Sequence, residues 1–164
     1  MNTDFPKSTE QRDKFLLFKC HGELFGAPLG VIREIVPFQR PLRVPNTHKH
    51  YLGIVNIRGD VVGAIDLRFW FNDERISTKV IESQALLVVE SQAGLMGIAV
   101  DTVVGISELF EQEIETPTGM PEMITEGGMI GIGKFTHGLA TLLNLRALCI
   151  ATDVVSEHKE RRVS

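Results

Sequence analysis

Residue types that could carry chemistry are few and widely spaced in this 164-residue chain. His48 and His50 stand two positions apart, which on a strand would place both imidazoles on one face. No third ligand lies near them, so we interpret them as solvated side chains rather than a metal site. Cys20 and Cys149 lie in apolar stretches and are predicted to be small buried hydrophobic residues.

Acids and glycines do not complete a catalytic arrangement either. Asp66 and Asp101 each follow an apolar strand pattern and precede a bend, which favours capping over an acid–base pair. The glycines occur singly or as the pair Gly127-Gly128, and no glycine-rich phosphate loop precedes a helix. The sequence therefore predicts no catalysis, no metal and no cofactor.

The stretch GIVNIRGDVVGAIDLRFWF, from Gly53 to Phe71, predicts a hairpin followed by a short helix capped by Asp66. Arg58 lies at the turn beside Gly59, for which a positive φ is expected. A cation between two apolar strands is presented outward, where a partner could bind it. The alternative is an ordinary solvated turn residue.

Composition limits the classes of function. A net charge of -4 with scattered basic residues argues against a nucleic-acid surface. No apolar run approaches the ~20 residues that a membrane span needs, and the polar start lacks the core of a signal peptide. The two cysteines do not form a disulfide framework, which favours a reduced, cytoplasmic protein.

Short strand patterns separated by turns fill residues 14–150, between a polar tail at 1–13 and a charged tail or helix extension at 151–164. The segment GVIREIV predicts one helical turn or a bent strand. In it, Ile32 and Ile35 share one side while Arg33 and Glu34 face water. The continuous apolar run Ala85–Val89 predicts a buried strand.

An internal repeat organises these patterns. KFLLFKCHGELFGAPLGVIREI matches ALLVVESQAGLMGIAVDTVVGI, which aligns Ile35 with Ile106, and RGDVVGAIDLR matches THGLATLLNLR, which aligns Asp66 with Asn144 as alternative helix caps. Each copy is expected to close one small barrel of about five strands, and two packed barrels would leave a groove. The two copies differ at their turns, where the first has Arg58-Gly59 and the second has Thr136-His137. Partner recognition is expected at this difference.

One segment departs from the repeat. Thr116–Met129 is a loop with three methionines and two prolines. Loops of this length are often functional, and exposed methionines adapt to partner surfaces. The alternative is a surface connection whose methionines fold back on the core.

The segments FLLFKCHGELFGAPLGVIREI, YLGIVNIRGDVVGAIDLRFWF and GLMGIAVDTVVGI, in this order, resemble the CheW family of bacterial chemotaxis adaptors over about Lys14 to Ile150. The resemblance implies a mainly β fold of two small five-stranded SH3-like barrels, packed together as two intertwined subdomains of one domain at 14–150, with a few short helices and a C-terminal helix. It implies a scaffold without catalysis. The expected partners are the cytoplasmic tips of methyl-accepting chemoreceptors and the regulatory domain of the CheA histidine kinase, in receptor arrays at the inner membrane face. Neither nucleic-acid binding nor membrane insertion is implied.

The family's receptor-contacting groove falls on six positions of this chain by resemblance: Ile32, Glu34, Ile35, Gly53, Arg58 and Gly59. Apolar residues there would take the side chains of a receptor helical hairpin. Arg58 would fix register or brace the groove through a charge-assisted hydrogen bond. The kinase would be met barrel-end to barrel-end, at residues that the sequence does not assign.

Three positions depart from the family's usual residues. Gly63 stands where proline is usual, His48 also replaces a usual proline, and Asn144 replaces a usual aspartate. These differences keep open a divergent adaptor for a non-flagellar output, through a pilus or a second messenger. A small-ligand-binding β-barrel is the alternative from another class.

The sequence predicts that Arg58→Ala or Ile32→Asp weakens receptor binding in a pull-down while circular dichroism and melting temperature stay nearly unchanged. A folded double variant that still binds receptor normally would contradict the assignment.

Overall fold

Ten strands make up most of the computed structural model, which describes residues 11–47, 50–67, 85–92, 94–119 and 128–149. The strands are β1 Arg12–Cys20, β2 Glu23–Pro28, β3 Ile32–Pro37, β4 Tyr51–Ile57, β5 Asp60–Asp66, β6 Ala85–Ser91, β7 Gly94–Val100, β8 Thr102–Phe110, β9 Met129–Phe135 and β10 Gly138–Leu143. Two 3-10 turns span Leu29–Val31 and Glu111–Glu113, and a short helix spans 145–149.

Two five-stranded sheets contain all these strands. One has the order β8-β1-β2-β10-β9 and is called barrel 1; the other has the order β3-β6-β7-β5-β4 and is called barrel 2. The predicted mainly β fold of two five-stranded barrels with a short C-terminal helix is confirmed.

A short closing segment joins the two edge strands of each barrel. After β3, Leu42 reaches β4, where its N–H donates to the Ile54 carbonyl at 2.8 Å and its carbonyl accepts the Ile54 N–H at 2.9 Å. After β8, Glu115 makes the same pair of bonds with Ile132 of β9, at 2.9 and 2.7 Å. Both sheets are thus closed by the continuation of their own edge strand.

Strand order and the register of the parallel pairs confirm the internal repeat. β1-β2 corresponds to β6-β7 and β3-β4-β5 to β8-β9-β10, because this mapping converts one strand order into the other. The parallel pair Thr141–Phe25 in barrel 1 corresponds to Gly63–Met96 in barrel 2.

The expectation that each copy closes its own barrel is wrong. Barrel 1 combines β1-β2 of the first copy with β8-β9-β10 of the second, and barrel 2 combines the remaining strands. Asp101 is the single residue between β7 and β8, and a hairpin needs at least a two-residue loop. β8 therefore leaves the sheet of β7 and enters the other one, as β3 does after its 3-10 turn.

The core explains why some strands are apolar on both faces. In β1, Phe15 and Leu17 point into barrel 1, whereas Leu16 and Phe18 join a cluster shared by both barrels. β6 behaves likewise, with Leu86 inside barrel 2 and its neighbours in the shared cluster. The prediction of a buried strand at Ala85–Val89 is confirmed, as is the burial of Cys20 and Cys149.

Polar residues fix the corners of the fold. Asn144 caps the helix 145–149, since its Oδ1 accepts the Ala147 N–H at 3.2 Å; this cap was predicted. Asp101 caps a turn rather than a helix, accepting the His21 N–H at 2.6 Å. It thereby ties the β7–β8 corner to the β1–β2 turn.

Two expectations differ from the structure. His50 is buried, so the prediction of a solvated side chain is wrong. It directly precedes β4, and its carbonyl accepts the N–H of Asp66, the last residue of β5, at 2.7 Å. β1 begins at Arg12, inside the predicted tail, and the Arg12 guanidinium lies 4.5 Å from the Phe110 ring centroid.

Other expectations fall on residues that the structure does not describe. They are His48, most of the Thr116–Met129 loop, the helix after Leu67 and the 151–164 tail.

Gly53→Ala tests the closure of barrel 2. Gly53 has φ +135°, and an added Cβ would lie 2.1 Å from the Leu42 carbonyl oxygen. Backbone strain and overlap together should cost about 2–4 kcal/mol of unfolding free energy, measured by urea denaturation. Gly30→Ala is the control, because nothing lies within 4 Å of its added Cβ. Equal stability of the two variants would contradict this account of the closure.

Candidate protein-interaction site

A bulge in β3 orients the first group of predicted site residues. Ile32 pairs with Val89 and Glu34 with Val88, so Arg33 is the extra residue. Ile32 and Ile35 consequently share the outer face of the sheet, as predicted, but Ile32 packs against the shared core and Ile35 is 44% exposed. Glu34 projects from the opposite face with its side chain 26% exposed, so it faces water in part.

The β4–β5 turn presents the second group. Arg58 and Gly59 have φ values of +52° and +91°, the positive pair typical of a two-residue type I′ hairpin turn. Asn56 stabilises this turn, because its Oδ1 accepts the Gly59 N–H at 2.9 Å. The positive φ predicted for Gly59 is confirmed.

An ion pair joins the two groups where the edge strands β3 and β4 of barrel 2 come together. This junction of β3, β4 and the β4–β5 turn is called the seam of barrel 2. Arg58 Nε lies 3.3 Å from Glu34 Oε2, with the arginine side chain 81% exposed and the glutamate 26% exposed. β3 and β4 are opposite ends of the strand order, so only closure of the barrel brings these side chains together. An exposed pair of this kind adds little stability, typically under about 1 kcal/mol.

Two exposed apolar side chains lie close to the ion-paired residues in sequence. Ile35 projects outward from β3, and Val61, three residues after Arg58, is 72% exposed. The sequence analysis did not assign Val61 to the site. Alternation at the start of β5, where the exposed Val61 precedes the buried Val62, is the local signal for it.

Gly53 contributes to the site through the backbone alone. It is buried beneath Leu42 and Arg43, so the position permits closure of the seam and offers no side chain to a partner. The structure thus brings Glu34 and Arg58 together, with Gly59 in the same turn as Arg58. Ile35 is exposed but projects from the other face of β3 than Glu34, while Ile32 packs against the shared core and Gly53 is buried.

The equivalent place on barrel 1 lacks the ion pair. By the repeat, Glu34 corresponds to Gly105 and Arg58 to Thr136, whereas Ile35 and Val61 correspond to the exposed Ile106 and Leu139. The turn differs as well, since its only positive φ, +121°, is at Gly138. The two barrels therefore present related apolar surfaces with different polar groups.

Among the residues that the structure describes, no group of histidine, cysteine, aspartate and glutamate side chains could hold a metal ion. A depression of about 500 Å³ lies beside β1, lined by Asp13, Lys14, Phe15, Pro28, Leu29 and Gly30. It contains none of the predicted site residues, and its walls are mainly apolar.

Two interleaved five-stranded barrels place the chain in the double-barrel class of β proteins. A family model for the CheW-like domain matches residues 14–151. The chain belongs to the CheW-like domain family, and its function is that of a chemotaxis scaffold.

Sequence similarity to relatives extends over most of each chain. The chain is 25% identical to chemotaxis protein CheW of Klebsiella aerogenes over 82% of this chain and 80% of that one. It is 27% identical to CheW of Helicobacter pylori over 87% and 84% of the two chains. The crystal structure of scaffolding protein TtCheW from Thermoanaerobacter tengcongensis superposes with a TM-score of 0.72 at 25% identity, covering 84% of this chain and 92% of that one.

The comparisons do not favour the ligand-binding or non-flagellar alternatives. Across the described segments, no helix has the length and apolar character needed to cross a membrane.

Gly59→Val should destabilise the fold by about 1–2 kcal/mol, because a β-branched residue at a positive φ is strained although the space around Gly59 is open. Gly59→Asn should cost less, since asparagine tolerates the left-handed region. Chemical denaturation of both variants measures the difference. A valine variant as stable as the asparagine variant would show that the turn relaxes to another geometry.

Proposed function

We propose that this chain couples chemoreceptor tips to a CheA-type histidine kinase in the cytoplasm, in arrays at the inner membrane face, without catalysing a reaction. The receptor binds at the seam of barrel 2, and the kinase regulatory domain binds elsewhere on the scaffold. Support comes from family membership.

The observation that carries the receptor assignment is the Arg58–Glu34 ion pair, which has exposed apolar residues close to it in sequence. Ile35 and Val61 offer apolar surface for a helical hairpin, in the manner of helix-in-groove recognition. Arg58 keeps unused donors, because five guanidinium N–H groups exceed what one carboxylate contact needs. Those donors can bind a receptor carboxylate or helix C-terminus.

Coupling follows from binding equilibria at two surfaces of one rigid body. A receptor conformation that binds the seam more tightly biases the geometry in which the kinase is held. The shared core supports this, because residues from both barrels interlock in a single cluster. A displacement imposed at one barrel is thus transmitted to the other.

Ile35→Asp and Arg58→Ala should each weaken binding of a receptor-tip fragment by about tenfold or more, because each removes surface or donors at the seam. Both side chains are exposed, so the melting temperature should change little. Ile106→Asp, the equivalent position on barrel 1, is the matched control and should bind receptor normally. Isothermal titration calorimetry measures the affinities.

Ile32→Asp is not a clean test of the site. Ile32 packs against the shared core, so a carboxylate there should destabilise the protein, and the sequence-based prediction that its stability is unchanged is withdrawn. If folded Ile35→Asp and Arg58→Ala both bind receptor like the unmodified chain, the receptor site lies elsewhere.

Reconstitution with receptor fragments and kinase tests the coupling itself. Unmodified protein should raise kinase autophosphorylation above that of kinase with receptor alone, and Arg58→Ala should lose most of this increase while still binding kinase. Activation without this protein, or an equal increase with the variant, would contradict the proposed coupling.

A further inference from the structure

The depression beside β1 lies where one strand of barrel 1 extends past its neighbour. β2 ends at Pro28, which pairs with Phe15, and the chain then leaves the sheet in the 3-10 turn Leu29–Val31. β1 begins earlier, and its first residues, Arg12–Lys14, pair with β8 on one edge. On the other edge no described strand pairs with them. The depression of about 500 Å³ is thus bordered by a strand edge with room for added chain.

Apolar walls and two opposite charges define the chemistry that fits this depression. Phe15 is buried, and Pro28 and Leu29 are half-buried, so the lining offers apolar surface that is only partly covered. Asp13 and Lys14 are exposed and supply one negative and one positive charge. The occupant that fits best is a short apolar group flanked by one acid and one base.

The chain's own N-terminal segment has this chemistry. Residues 1–10 precede the described part of barrel 1 and contain the apolar pair Phe5-Pro6, which stands between Asp4 and Lys7. Phe5 is the only aromatic residue among these ten. The signs of the two flanking charges therefore complement those of the two charged residues that line the depression.

Chain length permits the contact. The five residues Lys7–Gln11 separate Phe5-Pro6 from the start of β1 at Arg12. Five residues reach at most about 17 Å, which suffices for the chain to reverse and return alongside the edge of β1. The depression begins at Asp13, directly after that start.

We infer that Phe5-Pro6 occupies the depression, with Asp4 beside Lys14 and Lys7 beside Asp13. The contact removes the phenyl ring and the apolar walls from water together. It is held by one aromatic ring and two exposed ion pairs, which contribute little against the entropy of ordering the segment. The cover is consequently displaceable, and the N-terminal segment controls access to the depression.

This contact is separate from the proposed receptor site at Glu34, Ile35 and Arg58. The inference accordingly holds or fails independently of the proposed function.

Thiol reactivity of Gly30→Cys in the full chain tests the cover. Gly30 is exposed at the depression, and nothing lies within 4 Å of an added Cβ, so the variant should fold. Cys20 and Cys149 are buried, so the introduced thiol should react first with Ellman's reagent. Adding Phe5→Ser should raise this reaction rate by about tenfold, because the thiol loses its cover.

Leu139→Cys is the matched control, since Leu139 is exposed on the β9–β10 hairpin. The parallel pair Thr141–Phe25 places this hairpin at the other end of β2 from Pro28. Its reaction rate should be the same with and without Phe5→Ser, and circular dichroism should show that all variants are folded.

Disulfide trapping identifies the occupant. Thr3→Cys/Gly30→Cys keeps Phe5 and should form a disulfide within one chain when oxidised with copper–phenanthroline in dilute solution, as mapped by mass spectrometry of peptides. Thr3→Cys/Leu139→Cys should not. A Gly30→Cys rate that Phe5→Ser leaves unchanged, equal trapping of the two pairs, or a disulfide that joins two chains would each overturn the inference, the last by assigning the depression to a second copy.

Discussion

A strand that is apolar on both faces must be covered on both faces, and this constraint shapes the whole molecule. β1 and β6 satisfy this constraint because one face of each strand packs inside its own barrel and the other face packs in the cluster between the barrels. Removing apolar surface from water on two sides gives these strands the largest share of hydrophobic stabilisation. The other strands are arranged around them, each barrel adding three strands from the opposite half of the chain.

The candidate site is a product of closure rather than of any one element. Glu34 and Arg58 belong to opposite edges of one sheet, and they meet because Leu42 draws β4 against the end of β3. Gly53 makes that approach possible, since a side chain there would overlap the Leu42 carbonyl. A glycine with no surface of its own thus determines whether the ion pair can form. The candidate site and the closure of barrel 2 therefore depend on the same contacts.

Two features could be predicted from the sequence. Similarity between the copies gives the repeat, including the alignment of Ile35 with Ile106, and the continuous apolar run gives the buried strand β6. The exchange of strands could not be predicted, because either copy's third strand matches the pattern that β1-β2 needs. The one-residue corner at Asp101 decides the pairing sterically. The burial of His50 and the face that Glu34 occupies could not be predicted, because they depend on the packing of distant strands and on a bulge at Arg33.

The interleaving of the two halves also has a consequence for biosynthesis. The first copy alone cannot complete either sheet. The pair β1-β2 needs β8 and β10 as neighbours, and β3 and β5 need β6 and β7. A nascent chain therefore exposes unpaired strand edges until nearly all of it has left the ribosome, and its pairing is dominated by contacts distant in sequence. Such topologies fold slowly and depend on protection from aggregation. The same order of assembly makes the protein a candidate for splitting between β5 and β6, with each fragment unfolded alone and both barrels forming only when the fragments meet.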